Sequence, residues 1–209
     1  MKKNFLIILA MIIFFNIIIN VFAESNFEDA KAALEELSII ENLDYNADGI
    51  TRAEMIQIMY RMTNGEPIIH PGPFWGRRIS DKFEDVNEDY WAYKYVETFR
   101  YNMIVLGNEY GYFRPDDFIT YAEMITIIVR TLGWWVLIQE EFPYGYSRVA
   151  REWMEINFEI ENIHEKVSIS SAIPIIYQTL HVNTLVTNRD TTTRFYQSAP
   201  SFYERRNVE

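Results

Sequence analysis

An arginine at the start of a predicted helix is the residue of this sequence best suited to bind an anion. Residues 50–55 read Ile-Thr-Arg-Ala-Glu-Met, and residues 119–124 repeat the phrase as Ile-Thr-Tyr-Ala-Glu-Met. A Thr followed three residues later by Glu, just before an apolar run, is typical of a capping box at a helix start. Capping leaves Arg52 unexplained, because a cation in the first turn opposes the helix dipole at a cost of about 0.3–1 kcal/mol.

Arg52 and the helix start that carries it can together hold a negatively charged group. The first turn of a helix presents N–H groups that lack partners within the helix, and a guanidinium can bind a carboxylate through two hydrogen bonds. Thr51 and Glu54 lie at the same helix start. The alternative for Arg52 is a surface residue paired with an acid such as Asp48. Replacing Arg52 by Ala is expected to weaken binding and to change stability little.

The repeated phrase belongs to a longer helix-turn-helix unit. In both copies the phrase opens an apolar helical pattern, which ends in Arg61 or Arg130. Helical spacing predicts three such units, at about residues 27–63, 83–133 and 146–182. Units of this kind bury their apolar faces against each other. The sequence therefore predicts an all-α protein in which three helix-turn-helix repeats share one core.

The units and their connections differ in completeness. In the third unit, residues 167–171 align with residues 50–54, so Ile169 takes the arginine position and a serine takes that of the capping glutamate. Residues 64–82 are rich in Pro and Gly, which predicts an irregular connection. Residues 183–209 form a polar tail without a helical pattern, either disordered or an ordered edge.

The N-terminus predicts export. Two lysines precede a long apolar stretch that ends in Val-Phe-Ala, so residues 1–23 are interpreted as a secretory signal peptide. An uncleaved membrane anchor is the alternative, because the stretch approaches the length of a membrane span. The chain has no cysteine, so no disulfide can support the exported domain.

The charge balance disfavours some classes of partner. The chain carries 19 basic and 30 acidic residues, and loss of the two signal lysines takes its formal net charge from −11 to −13. Such a surplus of negative charge disfavours nucleic acid, and no membrane partner is expected after signal removal. Any anionic ligand must be held by a local cationic group.

The second unit contains further motifs in addition to the repeated phrase. They are Phe83-x-Asp85-Val86, Trp91-Ala92, Gly107 and Gly111-x-Phe113-x-Pro115, and they accompany the Ile-Thr-Arg-Ala-Glu phrase at residues 50–54. Together these motifs resemble the S-layer homology domain of bacterial cell-envelope proteins. The second unit shows nearly the whole pattern and the first keeps its second half, so the resemblance covers about residues 27–182.

The resemblance implies a pseudo-threefold bundle, secreted and held at the cell wall. Such bundles bind negatively charged, often pyruvylated, secondary wall polysaccharide noncovalently, in grooves between repeats where the motif arginine is a principal contact. Here Arg52 takes that role, and no arginine stands at the matching positions of the other two units, which are Tyr121 and Ile169. Tyr121 could still stack on a sugar or donate one hydrogen bond, so the second groove is expected to be weak or absent.

Other acidic and aromatic residues are candidates for contact with a ligand. Asp85 is either a groove residue or a helix cap or turn residue. Trp91 begins a helix, which is more typical of a core anchor than of a ligand platform. Trp134 and Trp135 either cover the core edge or form a carbohydrate-facing patch, and packing is expected for at least one. Two further contact candidates lie in the Pro- and Gly-rich connection, namely Phe74 and Trp75.

Three rival functions fit the sequence less well. Residues 44–49 resemble the start of a dockerin-like calcium loop, but the acid expected at position 12 falls at position 11, as Glu54, so no metal site is predicted. The three histidines lie in different segments without metal-ligand spacing, and neither a catalytic site nor a cofactor is expected. A repeat module that has lost wall binding could serve as a structural or protein-contact domain, with partners that the sequence does not identify.

Overall fold

Helices are the main regular secondary structure of the described chain. The computed structural model describes residues 26–65, 82–158, 162–187, 196–199, 201 and 204. Within these residues the helices are α1 (26–36), α2 (Arg52–Met62), α3 (Tyr93–Tyr101), α4 (Tyr121–Thr131), α5 (Tyr144–Glu152) and α6 (Ile169–His181), with a 3₁₀ helix at Trp134–Leu137. The predicted all-α class is confirmed in that the described chain is mainly helical, although it also contains two short strands.

Three predicted features lie wholly or largely outside the described residues. These are the signal peptide at residues 1–23, the irregular connection, of which residues 66–81 are not described, and the contact candidates Phe74 and Trp75 within it. None of the helices in the described ranges combines the length and hydrophobicity needed to cross a lipid bilayer.

Part of the predicted tail forms an ordered edge. Strand β1 (Thr184–Thr187) pairs antiparallel with strand β2 (Tyr196–Ala199), so that Thr184 lies opposite Ala199. The backbone N–H of Leu185 donates to the carbonyl of Leu132, 2.9 Å away, which joins this hairpin to the end of α4.

Capping boxes start α2 and α4, as predicted. Glu54 accepts a hydrogen bond from the backbone N–H of Thr51 at 2.7 Å, and its own N–H donates to the Thr51 hydroxyl at 3.2 Å. Thr120 and Glu123 make the same exchange at 3.0 and 3.3 Å. At the start of α6 the Ser168 hydroxyl accepts from the N–H of Ser171, without a capping glutamate.

The residues just before these three caps hydrogen-bond to one another in a closed ring. The N–H of Ile119 donates to the carbonyl of Ile50 at 2.9 Å, and that of Val167 donates to Ile119 at 2.9 Å. The N–H of Ile50 completes the ring by donating to Val167 at 3.4 Å. Because the carbonyl and the N–H of each residue are both used, this ring fixes the starts of α2, α4 and α6 beside one another.

A single apolar core receives side chains from every one of these helices. Removing such surface from water contributes about 25 cal/mol per Å² to folding, so a shared core binds the helices into one body. Its almost fully buried members include Leu34, Ile56, Phe99, Ile125, Val149 and Ile176.

In the last turn of each of α2, α4 and α6, one side chain hydrogen-bonds to the backbone of the segment that follows the preceding helix. In each case a side-chain nitrogen donates to a backbone carbonyl. The pairs are Arg61 with Glu41 at 3.4 Å, Arg130 with Ile104 at 2.9 Å and Gln178 with Asn157 at 3.1 Å. Because the residue in α6 is the uncharged Gln178, this hydrogen bond does not require a positive charge.

Gly107 packs closely against an aromatic stack and should tolerate no side chain. Its φ is 67°, and an added Cβ would lie 2.5 Å from Phe83, whose ring stacks on Phe113 at 5.4 Å between centroids. Gly111 has φ of 83°, but an added Cβ there would meet only Glu84, at 3.6 Å.

We expect Gly107→Ala to destabilise the protein more than Gly111→Ala does. Both changes incur the left-handed backbone cost of about 1–2 kcal/mol, but only the first also displaces Phe83, which adds about 1–3 kcal/mol. Urea unfolding of the two variants measures the difference. Equal losses would contradict the packing described here.

Candidate anion-binding cleft beside Arg52

Arg52 is buried and bound to two groups of the second predicted unit. Only 8% of the residue is exposed. Its Nη1 lies 2.5 Å from Glu123 Oε1, its Nε donates to the carbonyl of Phe113 at 2.8 Å, and its Cζ lies 4.7 Å from the centroid of the Phe113 ring. Burial lowers the pKa of Arg52 and the charge of Glu123 opposes that shift, so the guanidinium keeps its charge.

Glu123 explains why a cation is stable at this helix start. One of its oxygens accepts from the N–H and hydroxyl of Thr120, while the other faces Arg52 and also Arg114, whose Nη2 lies 3.3 Å away. The carboxylate thus offsets the unfavourable field of α2 at Arg52. The alternative that Arg52 pairs with an acid is confirmed, but the residue is buried and its partner is Glu123. The suggested partner, Asp48, instead has its carboxylate 3.5 Å from the Nζ of Lys166.

The first turn of α2 does not itself present N–H groups to an anion. The N–H of Arg52 donates to the carbonyl of Asp117 at 3.0 Å, and that of Ala53 donates to Pro115 at 2.9 Å. The N–H of Glu54 donates to Thr51. The expectation that backbone groups of this turn hold the ligand is therefore wrong, and recognition of an anion here must rely on side chains.

A cleft of about 230 Å³ opens beside Arg52 and runs along α4. Within the described part of the chain, its lining contains two arginines, Arg52 and Arg130, and one acidic residue, Glu123. The other lining residues are Ile104, Val105, Leu106, Gly107, Thr126, Ile127 and Phe142. This surplus of positive charge within a chain of net charge −11 favours an anionic occupant.

Arg130 is the residue of the cleft that sequence reasoning missed. Its Nε and Nη2 donate to the hydroxyl of Tyr146 at 3.0 and 2.8 Å, and its Nη1 donates to Ile104. These bonds hold the guanidinium in a fixed position beside the cleft. The signal was present in the sequence, because the helical pattern after each copy of the phrase ends in an arginine.

The other candidate site residues do not line this cleft. Thr51 and Glu54 cap α2, and Tyr121 is packed in the core with 9% exposed. Asp85 is a structural acceptor, since its two oxygens take the N–H groups of Phe113 and Arg114 at 2.8 and 2.6 Å.

The structure contradicts the sequence prediction for Trp91 and agrees with it for Trp134 and Trp135. Trp91, expected in the core, is 51% exposed, and its ring lies 5.7 Å from that of Tyr90 and 6.4 Å from that of Tyr95. The core prediction is wrong because only the adjacent Ala92 points inward, being fully buried. Trp134 and Trp135 are half-buried and pack against the core, as expected for at least one of them.

The loop at residues 44–49 is held by its own hydrogen bonds. The Asp44 carboxylate accepts from the N–H of Asn46 at 3.0 Å, the geometry of an Asx-turn. Across the described ranges, no three His, Asp or Glu side chains come close enough together to hold a metal ion.

Comparison with known proteins supports a cell-envelope relationship. Residues 82–125 match the family model of the S-layer homology domain, so the resemblance drawn from the motifs is confirmed for this segment. The matched segment contains Asp85, Trp91, Tyr121 and Glu123.

Two curated relatives agree with this match. The chain is 27% identical to a "Cell surface protein" of Thermoanaerobacter kivui over 103 residues, which is 49% of the chain and 13% of that protein. It is 29% identical to a "Middle cell wall protein" of Brevibacillus brevis over 133 residues, 62% of the chain and 12% of that protein. The chain therefore matches only about an eighth of the length of these relatives.

We expect Arg52→Met to destabilise the protein, contrary to the small effect that the sequence suggested. Loss of the cation removes the buried ion-pair partner of Glu123, which keeps only its contacts with Thr120 and the exposed Arg114, and it removes the Arg52 donor from the Phe113 carbonyl, at a cost of about 3 kcal/mol. Arg114→Ala is the matched control, because Arg114 contacts the same carboxylate but its side chain is 51% exposed, so its loss should cost less than about 1 kcal/mol. Urea unfolding distinguishes the two, and a small loss for both would contradict a structural role for Arg52.

Proposed function

We propose that this protein is held at the bacterial cell wall by noncovalent binding of an acidic wall polysaccharide in the cleft lined by Arg52 and Arg130. The S-layer homology match and the cell-surface and cell-wall relatives support a location at the cell surface. The observation that most supports an anionic ligand is a cleft whose described lining contains two arginines and one acidic residue.

The size of the cleft suits one charged sugar residue. Sites for drug-sized ligands occupy roughly 300–1,000 Å³, and this cleft has about 230 Å³. A pyruvylated sugar, the ligand that the family resemblance implies, places a carboxylate on a single residue of the polysaccharide. A terminal or protruding sugar can therefore enter while the rest of the polysaccharide stays in solvent.

Arg52 is preorganised to receive such a carboxylate. A guanidinium has five N–H groups, and the contacts with Glu123 and Phe113 hold its plane in place without using all five. Because the side chain is already ordered and desolvated, binding costs little further conformational entropy. Arg130 adds a second positive charge at the other end of the cleft.

A pseudo-threefold arrangement of the repeats is part of the proposal. The hydrogen-bond ring through Ile50, Ile119 and Val167 supports it, because the three residues hold matching places before their helices. At the position of Arg52 the other units carry Tyr121 and Ile169, which are both buried and uncharged. We therefore propose one charged cleft among the three related places.

A structural or protein-contact module is the second candidate function. The close engagement of Arg52 by Glu123 favours it, since an arginine kept for internal pairing need not bind a ligand. The two functions differ in whether the chain sediments with cell walls.

Arg130→Gln should weaken wall binding at least about tenfold, because a charge-assisted hydrogen bond contributes about 1.5–3 kcal/mol. Glutamine is a mild replacement here, since Gln178 makes the equivalent backbone tie in the third unit. Arg61→Gln is the matched control, because it removes the corresponding charge from α2, away from the cleft, and should change binding by less than about twofold.

The measurement is sedimentation with purified wall fragments from the source organism, with the fold of each variant checked by circular dichroism. A parent chain that stays in the supernatant would contradict wall binding and favour the second function. Equal binding by both variants would move the site away from this cleft.

A further inference from the structure

A second and larger cavity lies at the far end of α6. It has a volume of about 590 Å³, within the range of small-molecule sites. We call it the tryptophan cavity. In the described part of the chain it is lined by Trp134, Trp153, Met154, Glu155, Ile156, Asn157, Tyr177, Gln178, His181, Val182 and Asn183.

Hydrogen bonds hold the walls of the tryptophan cavity in place. The indole Nε1–H of Trp134 donates to the carbonyl of Asn183 at 2.7 Å, which fixes that ring across the end of α6. Gln178 and the backbone of Asn157 exchange two hydrogen bonds, at 2.7 and 3.1 Å, so the segment after α5 is fixed to α6. A cavity with ordered walls loses little entropy when a ligand enters.

The lining combines aromatic faces with amide groups. Trp153 is 59% exposed, and the ring of Tyr177 meets that of His181 edge-on at 4.9 Å. The exposed side chains of Asn157 and Asn183 can each donate and accept hydrogen bonds. Sugars need this combination, because one face of a pyranose ring presents C–H groups to an aromatic ring while its hydroxyls need donors and acceptors at the edge.

The charge of the lining separates this cavity from the Arg52 cleft. Its described lining contains no Lys or Arg and has one acidic residue, Glu155. An anionic ligand would therefore meet repulsion rather than an ion pair. The number of polar side chains in the wall also disfavours a purely apolar ligand, since those groups would lose their water without gaining partners.

We infer that the tryptophan cavity binds an uncharged saccharide of about two rings, stacked on Trp153 and hydrogen-bonded by Asn157 and Asn183. The inference takes one point from the proposed function, namely that the protein is located at the cell wall and so meets wall sugars. It does not require that the Arg52 cleft bind anything.

Isothermal titration with N,N′-diacetylchitobiose and with cellobiose tests the inference on the full chain. The parent protein should bind at least one of the two, and Trp153→Ala should weaken that binding at least about tenfold, as loss of a central aromatic contact typically does. Tyr101→Ala is the control, because Tyr101 is also an exposed aromatic residue but does not line the cavity, so this variant should bind the disaccharide as tightly as the parent.

Two results would overturn the inference: no heat with either disaccharide, or equal affinity in the parent and Trp153→Ala proteins when circular dichroism shows both folded. The result is separable from the proposed function. Disaccharide binding by a chain that fails to sediment with walls would leave the cavity intact and reject wall anchoring. Sedimentation that depends on Arg130, without disaccharide binding, would do the reverse.

Discussion

The carboxylate of Glu123 is the group on which the start of α4 and the position of Arg52 both depend. It closes the cap of α4 through Thr120 and, with its other oxygen, binds a guanidinium that belongs to α2. Without that carboxylate, Arg52 would be a buried cation in the unfavourable field of its own helix. One side chain therefore joins two helix starts, and it also contributes a negative charge to the lining of the cleft beside them. In the proposed function, Arg52 held in this way would receive a second carboxylate, that of the ligand.

The starts of α2, α4 and α6 share one backbone hydrogen-bond arrangement, whereas the side chains at these starts differ. Ile50, Ile119 and Val167 form a ring of main-chain hydrogen bonds, and these bonds need no particular side chain. Sequence change at the next positions is consequently tolerated, and Arg52, Tyr121 and Ile169 stand at matching places with different chemistry. Where the arginine is replaced, the position has become part of the core. The described chain accordingly has an arginine-containing cleft beside α4 and, at the end of α6, a cavity lined by aromatic and amide groups.

Local features were predictable from the sequence, whereas partners across units were not. The capping boxes and the helical units depend on residues three or four positions apart, so spacing alone reveals them. The pairing of Arg52 with Glu123 joins residues 71 positions apart in the chain, and no local pattern distinguishes Glu123 from Asp48 as the partner. Trp91 and Ala92 illustrate the same limit, because either could point inward from a helix start and only the packing of the first turn decides. The sequence shows an arginine at the end of the helical pattern in both repeats, at Arg61 and Arg130. That Arg130 lines a cleft depends on Phe142 and residues 104–107, which lie outside α4.

The most direct test of charge recognition at Arg52 compares a pyruvylated monosaccharide with its methyl ester. The two ligands have nearly the same shape, and only the first carries the negative charge. We expect the acid to bind the full chain with an affinity that falls as salt is added. The ester should bind at least about tenfold more weakly, because it cannot form a charge-assisted pair with a guanidinium. Equal binding of acid and ester, or no binding of the acid, would contradict it.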